Sequence, residues 1–240
     1  GIAGYHAMKA LPSQMIGWAM THAAPLVTPT FSKEKLLGTN PIAVAIPANE
    51  EPAFVADFAS TAVAYGKLEI LQRKGLNTPD GWVQDKDGHQ SINANELKAG
   101  GSLLPLGSDK DHGSHKGYGL GATVDILSAV LSGANYGPWV PPFVAFLEPD
   151  PNPVGEGIGH FLGAMRVDGF RPAQDFKDHL DNWIKRFKSA KTVDENKKVI
   201  IPGEPEYQFE NERKTTGIPL INVVVNDLND LAEKIGVEKL

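Results

Sequence analysis

The chain contains no cysteine and has little excess charge of either sign. Its 240 residues include 23 basic and 29 acidic side chains, which gives a formal net charge of −6. Without cysteine, neither a disulfide framework nor a thiolate zinc site can form, and the absence is compatible with a reducing compartment. The mild acidity argues against nucleic acid as the main partner. We therefore expect a cytoplasmic protein that binds no nucleic acid.

Long apolar runs are missing as well. No segment approaches the roughly 20 residues that a membrane-spanning helix needs, and no basic-then-apolar signal segment opens the chain. We therefore expect no membrane association. The chain opens at Gly1-Ile2-Ala3-Gly4 without an initiator methionine, which suggests a processed or truncated N-terminus.

Several signatures of metal and hydrolase sites are absent or incomplete. The histidines show no zinc spacing, and no G-x-S-x-G elbow of a serine hydrolase occurs. Asp85, Asp87 and Gly88 resemble the start of a calcium loop, but position six, which must be glycine, is Gln90. We therefore expect no bound metal, and the Asp-Gly sequence predicts a turn between short strands.

Apolar periodicity predicts a mixed fold of strands and helices, α/β or α+β. One predicted helix carries Leu120, Val124, Leu127 and Leu131 on a single stripe and has few charges, so we expect it to be buried. The predicted strands are residues 15–21, 42–47, 53–58, 158–167 and 221–225. The predicted helices are residues 2–12, 61–74, 118–131, 172–188, 204–214 and 228–235.

A glycine-rich segment, Gly117-Tyr118-Gly119-Leu120-Gly121-Ala122, formally matches the dinucleotide pattern of Rossmann folds. That pattern works only in a turn that follows a strand, whereas a loop precedes it here, so a Rossmann fold is disfavoured. A helix start with Lys116 in front of it is a good anion site in any fold. The alternative is a loop lysine beside glycines that permit close packing.

Three further features have both a functional and a structural interpretation. Asp57 closes an apolar strand, where it can bind a ligand hydroxyl or orient a histidine, or cap the next helix. His160 opens another strand, where it can bind a carboxylate substrate or exchange a proton, or be an ordinary core histidine. The segment 202–206 combines proline, glycine and two glutamates at a helix start, which is favourable for the helix dipole and can also hold ribose hydroxyls.

Seven segments, in order and covering nearly the whole chain, resemble the malate/L-lactate dehydrogenase family, which includes sulfolactate and ureidoglycolate dehydrogenases. Any one segment is weak, but seven in order are specific. The segments are Gly1-Ile2-Ala3-Gly4-Tyr5, Leu36-Leu37-Gly38-Thr39-Asn40-Pro41-Ile42, Asp57-Phe58-Ala59-Ser60-Thr61, Leu103-Leu104-Pro105-Leu106-Gly107, His115-Lys116-Gly117-Tyr118-Gly119-Leu120, Gly159-His160-Phe161, and Ile201-Pro202-Gly203-Glu204 with Arg213 and Gly217-Ile218-Pro219-Leu220.

The resemblance implies a non-Rossmann NAD(P)-binding fold, a homodimer, and hydride transfer between NAD or NADP and a small 2-hydroxy or 2-oxo acid. It also implies a cofactor-binding region over about residues 20–170 and a C-terminal helical region over about residues 171–240. His160 resembles the family's substrate-side residue, and Asp57 an orienting residue. The implied cofactor contacts are Asp57, Phe58, Ala59, Lys116, Gly117, Pro202, Gly203, Glu204 and Glu206.

Two departures from the family pattern bear on activity. The family's proton-transfer histidine lies in a motif whose final glycine corresponds to Gly1, so we expect the main base upstream of Gly1 and little turnover by these residues alone. The loop after Thr21, where the family often has hydroxyl side chains, reads His22-Ala23-Ala24. A truncated, non-catalytic nucleotide-binding or assembly subunit of the same fold is therefore the alternative to an enzyme.

Overall fold

Four of the strands predicted from apolar runs form one antiparallel sheet. In the computed structural model, which describes residues 2–143, 147–148 and 150–240, these strands are β1 (Met15–Thr21), β2 (Ile42–Ile46), β3 (Phe54–Phe58) and β7 (His160–Arg166). Their order across the sheet is β3-β2-β1-β7, with antiparallel pairing throughout. The mixed α/β class is confirmed, and the sheet lacks the parallel strands of a Rossmann fold.

A short helix, α1 (Ala3–Met8), packs on one face of this sheet because the sheet residues beneath it are small. The buried cluster there consists of alanines, which include Ala7 of the helix and Ala19 of β1. At Gly17, an added Cβ would lie 2.0 Å from the carbonyl oxygen of Ala7. No side chain fits at that distance, so glycine at this position permits the close contact of helix and sheet.

Strand β7, predicted from the apolar run over residues 158–167, lies at the edge of the sheet and not in its core. Exposed residues alternate with half-buried ones along its length, and Leu162 is 59% exposed. Opposite Trp18, an added Cβ on Gly163 would lie 2.1 Å from the indole ring. The ring therefore lies over a glycine rather than beside another large side chain.

A second, smaller sheet and a helix form the larger apolar core. Strands β4 (Val83–Gln84), β5 (Gln90–Ser91) and β6 (Ser102–Leu103) pair in the order β5-β4-β6, and the predicted turn at Asp85–Gly88 joins the first two. Helix α2 (Tyr65–Lys74) begins four residues later than predicted. The buried members of this core are Leu26, Val27, Leu37, Val63, Leu68, Val83, Leu97 and Leu103.

The helix predicted over residues 118–131 begins earlier and buries a different face. Helix α3 spans Ser114–Asp125 and continues as one π-helical turn, Ile126–Val130. The expected buried stripe is right at Val124, which is fully buried, and wrong at Leu120 and Leu131, which are exposed. The other buried positions of α3 are small or polar, among them Gly117, Gly121 and Asp125.

Helix α4 (Ala173–Lys188) is joined to the β2–β3 turn by a carboxylate that the sequence did not single out. Buried Asp181 accepts hydrogen bonds from the backbone N–H groups of Asn49 (3.1 Å), Glu50 (2.7 Å) and Glu51 (3.3 Å). Burial by itself raises the pKa of Asp181, but these donors outweigh it and the net shift is downward. The carboxylate is therefore held in its charged form.

The chain divides into two compact units, Gly1–Gly203 and Glu204–Leu240. The second unit holds α5 (Glu204–Thr216) and α6 (Asn222–Ile235). The strand predicted at residues 221–225 is wrong, because these residues form the start of α6. In the described residues, no helix has both the length and the apolar character that crossing a membrane requires.

Candidate functional site

Three polar side chains project from one face of the main sheet, near the same end of its strands. Asp57 and Thr21 lie near the C-terminal ends of β3 and β1, two strands that run in the same direction on either side of β2. His160 lies at the start of β7. In the register, Asp57 pairs with Ala43, which pairs with Ala19, and Thr21 pairs with His160. Because side chains alternate between faces, all three lie on the face that carries α1. We call this the strand-end site.

Asp57 contacts the first turn of α1. Its Oδ2 accepts a hydrogen bond of 2.7 Å from the backbone N–H of Gly4, one of the N–H groups that a helix start leaves without a partner inside the helix. An added Cβ on Gly4 would lie 2.9 Å from the same oxygen. The alternative of a cap for the helix after residue 61 is wrong, because Asp57 binds a helix more than 50 residues earlier.

His160 is exposed and bound through one ring nitrogen. Its Nδ1 lies 2.8 Å from the hydroxyl Oγ1 of Thr21, directly across the strand pair. The alternative of a core histidine is wrong for this residue, because its side chain lies at the surface. Three strand spacings of about 4.8 Å, roughly 14 Å in all, and a shift of two residues along the strands separate Asp57 from His160. They therefore share a face but do not contact each other directly.

His22, immediately behind this pair, is buried in an unusual state. It is 1% exposed, and neither ring nitrogen has a hydrogen-bond partner among the described residues. Burial lowers its pKa; nearby His160 lowers it further, whereas the backbones of Gly159 and Asn135 oppose the shift. His22 therefore carries a neutral imidazole. The sequence marked it as a departure from the family's hydroxyl residues, but a loop histidine gives no sign of its burial.

Lys116 lies in the first turn of α3 and has no ion pair among the described residues. Its side chain is exposed and runs back past Gly113, whose added Cβ would lie 3.6 Å from the lysine Cδ. Two backbone N–H groups of this helix start are already bound, from Ser114 to the Asp109 carbonyl and from Lys116 to the Gly113 carbonyl. The exposed ammonium group of Lys116 is therefore the group of this helix start that could bind an anion.

Gly117 and Ser60 bring the start of α3 close to the end of β3. An added Cβ on Gly117 would lie 2.3 Å from the carbonyl oxygen of Leu106, and the Leu106 N–H donates to the carbonyl of Ser60 at 3.0 Å. Ser60 follows Phe58 and Ala59 at the end of β3, where Phe58 is 41% exposed. Lys116 and the segment 57–59 therefore belong to one connected region.

Asn40 is a further residue of this region that the sequence did not single out by itself. It is fully buried, and its side chain binds the loop after β1 and helix α3 together. Its Oδ1 accepts from the Ala23 N–H at 3.0 Å, and its Nδ2 donates to the Gly121 carbonyl at 2.9 Å. Its φ of 35° is positive, which asparagine tolerates better than most residues. The Thr39-Asn40-Pro41 segment was the available signal.

The turn that contains Pro202 and Gly203 lies against the outer edge of β3. The Val55 N–H donates to the Pro202 carbonyl at 3.0 Å, and an added Cβ on Gly203, whose φ is 90°, would lie 2.9 Å from the Val55 Cβ. Packing and backbone conformation alone thus account for glycine at 203. Glu204 and Glu206 begin α5, in the second unit.

The donor set of the first unit suits a nucleotide better than a metal ion. Among the described residues, no group of three or more histidine or acidic side chains is arranged to hold a metal ion. The carboxylate of Asp57 can accept hydrogen bonds from ribose hydroxyls, and the ammonium of Lys116 can bind phosphate. The ring of Phe58, next to Asp57 in sequence, is 41% exposed and offers an apolar surface. These residues fit a dinucleotide in their chemistry.

Comparison with known proteins identifies the class. The sequence model of the malate/L-lactate dehydrogenase family matches residues 1–229, and the chain belongs to this family. A malate dehydrogenase of Pyrococcus horikoshii is 39% identical over 241 aligned positions, covering 100% of this chain and 64% of the relative. A malate/(S)-sulfolactate dehydrogenase of Methanothermus fervidus is 36% identical, covering 99% of this chain and 65% of the relative.

Solved structures agree with the sequence comparison. The malate dehydrogenase structure from Entamoeba histolytica superposes with a TM-score of 0.87 at 31% identity, covering 99% of this chain and 66% of that one. The structure from Pyrococcus horikoshii gives a TM-score of 0.84 at 36% identity, covering 100% and 63%. The chain thus spans slightly less than two thirds of the length of these relatives, and the fold expected from the resemblance is confirmed.

Proposed function

We propose that the protein is a dehydrogenase that transfers a hydride between NAD or NADP and C2 of a small 2-hydroxy acid. Family membership and relatives named malate and sulfolactate dehydrogenases support this. The observation that carries the proposal is the strand-end site, where Asp57, Thr21 and His160 share one sheet face beside the first turn of α1. A carboxylate, a hydroxyl and an imidazole on rigid strands can orient a polar substrate.

A bound nicotinamide nucleotide would supply the hydride acceptor, and the side chains would supply binding and orientation. We assign phosphate binding to Lys116, whose ammonium is exposed and has no ion pair among the described residues. Asp57, Phe58 and Ala59 would contact the nucleotide from the end of β3, next to Gly117. The turn at Pro202 and Gly203, with Glu204 and Glu206 after it, is the family's remaining contact and stays a proposal for this chain.

His160 would contact the acid substrate, because it is the exposed imidazole of the strand-end site. Its ring can donate to a carboxylate or a carbonyl oxygen. Asp57 would act as an orienting residue, because its carboxylate binds the first turn of α1 above the sheet. Neither residue is assigned the role of general base.

A binding titration tests the nucleotide assignment. NADH and NADPH are titrated separately against the full-length protein and its Lys116→Ala variant, with Lys67→Ala, an exposed lysine of α2, as the matched control. Loss of a charge-assisted contact to phosphate should weaken binding by about tenfold or more, whereas the control should bind as the unchanged protein does. Unchanged affinity in Lys116→Ala would remove the phosphate role from this residue.

Turnover assays test the reaction itself. The full-length protein is assayed for NADH and NADPH formation with malate, lactate and sulfolactate. Formation of reduced nucleotide with at least one of them supports the dehydrogenase proposal. Nucleotide binding without turnover on any small 2-hydroxy acid would favour a non-catalytic subunit instead. The homodimer and the cytoplasmic location stay predictions, and sedimentation analysis of the native protein tests the first.

A further inference from the structure

Thr21 and His160 form a direct side-chain contact within the strand-end site. The two residues are direct cross-strand partners of β1 and β7. The Thr21 Oγ1 lies 2.8 Å from His160 Nδ1, an ordinary length for a hydrogen bond from a hydroxyl group. The imidazole is therefore bound on one nitrogen, and its other nitrogen, Nε2, has no hydrogen-bond partner within the described residues.

The direction of this hydrogen bond follows from the other acceptors around the hydroxyl group. A threonine hydroxyl has one proton to donate. The carbonyl oxygens of His22 and Gly159 are both 3.3 Å from the Thr21 Oγ1, which is longer than an O–H···O hydrogen bond normally is. The contact to His160 Nδ1, at 2.8 Å, is shorter than either of these and is the better position for an acceptor of the hydroxyl proton. The geometry favours Thr21 as the donor and His160 Nδ1 as the acceptor.

A neutral imidazole that accepts at Nδ1 carries its proton on Nε2. We infer that Thr21 is a positioning residue that holds His160 as the Nε2–H tautomer, so that His160 offers a hydrogen-bond donor to a carboxylate or carbonyl oxygen of the acid substrate. In this state Nε2 cannot remove a proton from the substrate. The substrate half of this inference rests on the proposed function, whereas the tautomer half does not.

The backbone next to each residue of the pair packs closely against its surroundings. Gly159 lies against the helix end that follows α3, since an added Cβ there would lie 1.8 Å from the carbonyl oxygen of Ser128. His22 follows Thr21 directly and is buried. Its neutral ring fills the space behind the pair without bringing a charge next to His160.

Nitrogen NMR of the histidine rings tests the tautomer without substrate or nucleotide. Spectra of the ¹⁵N-labelled protein at pH 8 are compared with those of Thr21→Val, which removes the hydroxyl, and Thr21→Ser, which keeps it. We expect His160 to show a protonated Nε2 and a hydrogen-bonded, unprotonated Nδ1. The Nδ1 signal should move in Thr21→Val and return in Thr21→Ser. A proton on Nδ1 in the unchanged protein, or no response to Thr21→Val, overturns the inference.

Steady-state kinetics of the full-length protein test the consequence for the substrate. In Thr21→Val the KM for the acid should rise about tenfold, the effect of one misplaced hydrogen-bond donor, with kcat changed less than twofold. Thr21→Ser should restore KM. An unchanged KM in Thr21→Val overturns the substrate half. If the unchanged protein turns over no 2-hydroxy acid, the proposed function fails, and the ring-nitrogen signals still decide whether Thr21 sets the tautomer.

Discussion

Asp57 shows how one side chain can link an early helix to the far strand of the sheet. Its carboxylate binds the Gly4 N–H at 2.7 Å, and negative charge is favourable at a helix start. The helix itself is only six residues long, with no side-chain cap from its own N-cap residue, Ile2. The orientation of its first turn therefore depends on a residue that is distant in sequence.

Replacing Asp57 by alanine should destabilise the fold by about 1 kcal/mol, because one charge-assisted hydrogen bond is lost at a partly exposed position. Asp57→Asn should cost less, since its side-chain oxygen can still accept from Gly4. The free energy of unfolding from urea titration measures both effects. Equal stability of Asp57→Ala and the unchanged protein would show that Asp57 does not hold α1.

His22 should make stability depend on pH on the acid side of neutrality. Burial lowers its pKa from the ordinary value of 6.5, so the unfolded chain takes up a proton there before the folded chain does. The stability contribution is full above about pH 6.5 and is lost progressively as the pH falls from there through the lowered folded value. Urea titrations between pH 8 and pH 5 should therefore show falling stability.

The variant His22→Asn should weaken that dependence, because its side chain does not titrate, whatever its own effect on stability. The matched control is His115→Asn, which removes an exposed histidine in the first turn of α3 and leaves His22 in place. Other titrating groups are common to all three proteins, so the difference between their slopes isolates His22. Identical slopes for the unchanged protein and His22→Asn would contradict the prediction.

Among the elements, α1 is the one whose position depends most on small residues. An added Cβ at Gly17 would lie 2.0 Å from a backbone oxygen of α1, and backbone cannot rotate away as a side chain can. Gly17→Ala should therefore destabilise the fold by about 1–3 kcal/mol or more. Gly66→Ala, in α2 with no atom within 4 Å of the added Cβ, should instead stabilise by about 0.5–1 kcal/mol. Thermal and urea unfolding of the two variants measure the loss of stability in Gly17→Ala and the gain in Gly66→Ala.

Strands β1, β2 and β3 could be predicted from sequence because each is a short apolar run bounded by turn residues. The order β3-β2-β1-β7 could not, since it depends on pairing with β7 across more than 130 residues. Residues 221–225 were mistaken for a strand because their β-branched side chains are typical of strands. In the structure those residues continue into α6, whose apolar positions recur at helical spacing.

The candidate site was predictable in part. Asp57, Lys116 and His160 stood out because each polar residue follows or precedes an apolar element, and the family resemblance gave them roles. Thr21 and His22 did not stand out as a site, because their importance comes from cross-strand pairing and from burial, and neither is written in local sequence. The apolar stripe on α3 predicts burial correctly at Val124 but not at Leu120 or Leu131, since periodicity alone does not tell which face meets the core.

At the scale of the whole molecule, the first unit holds the buried apolar residues on which a stable fold depends. Both apolar clusters lie within residues 1–203, and Asp181 binds α4 to the β2–β3 turn inside the same unit. The second unit buries few of its residues. Helix α5 buries none of its residues, and α6 buries Ala232. A segment of this size rarely forms a core of its own without disulfides, metals or oligomerisation.

A chain ending at Gly203 should therefore fold, with one cooperative thermal transition within a few degrees of that of the longer chain. Its sheets, its two cores and the contact between Pro202 and Val55 remain complete. Residues 204–240 alone should show no cooperative transition, since isolated helices of this length are marginal. A matched deletion at the other end, residues 15–203, should fold poorly because it uncovers the alanine cluster beneath α1. Circular dichroism against temperature compares the three fragments, and loss of the transition in residues 1–203 would mean that the sheet depends on the terminal helices.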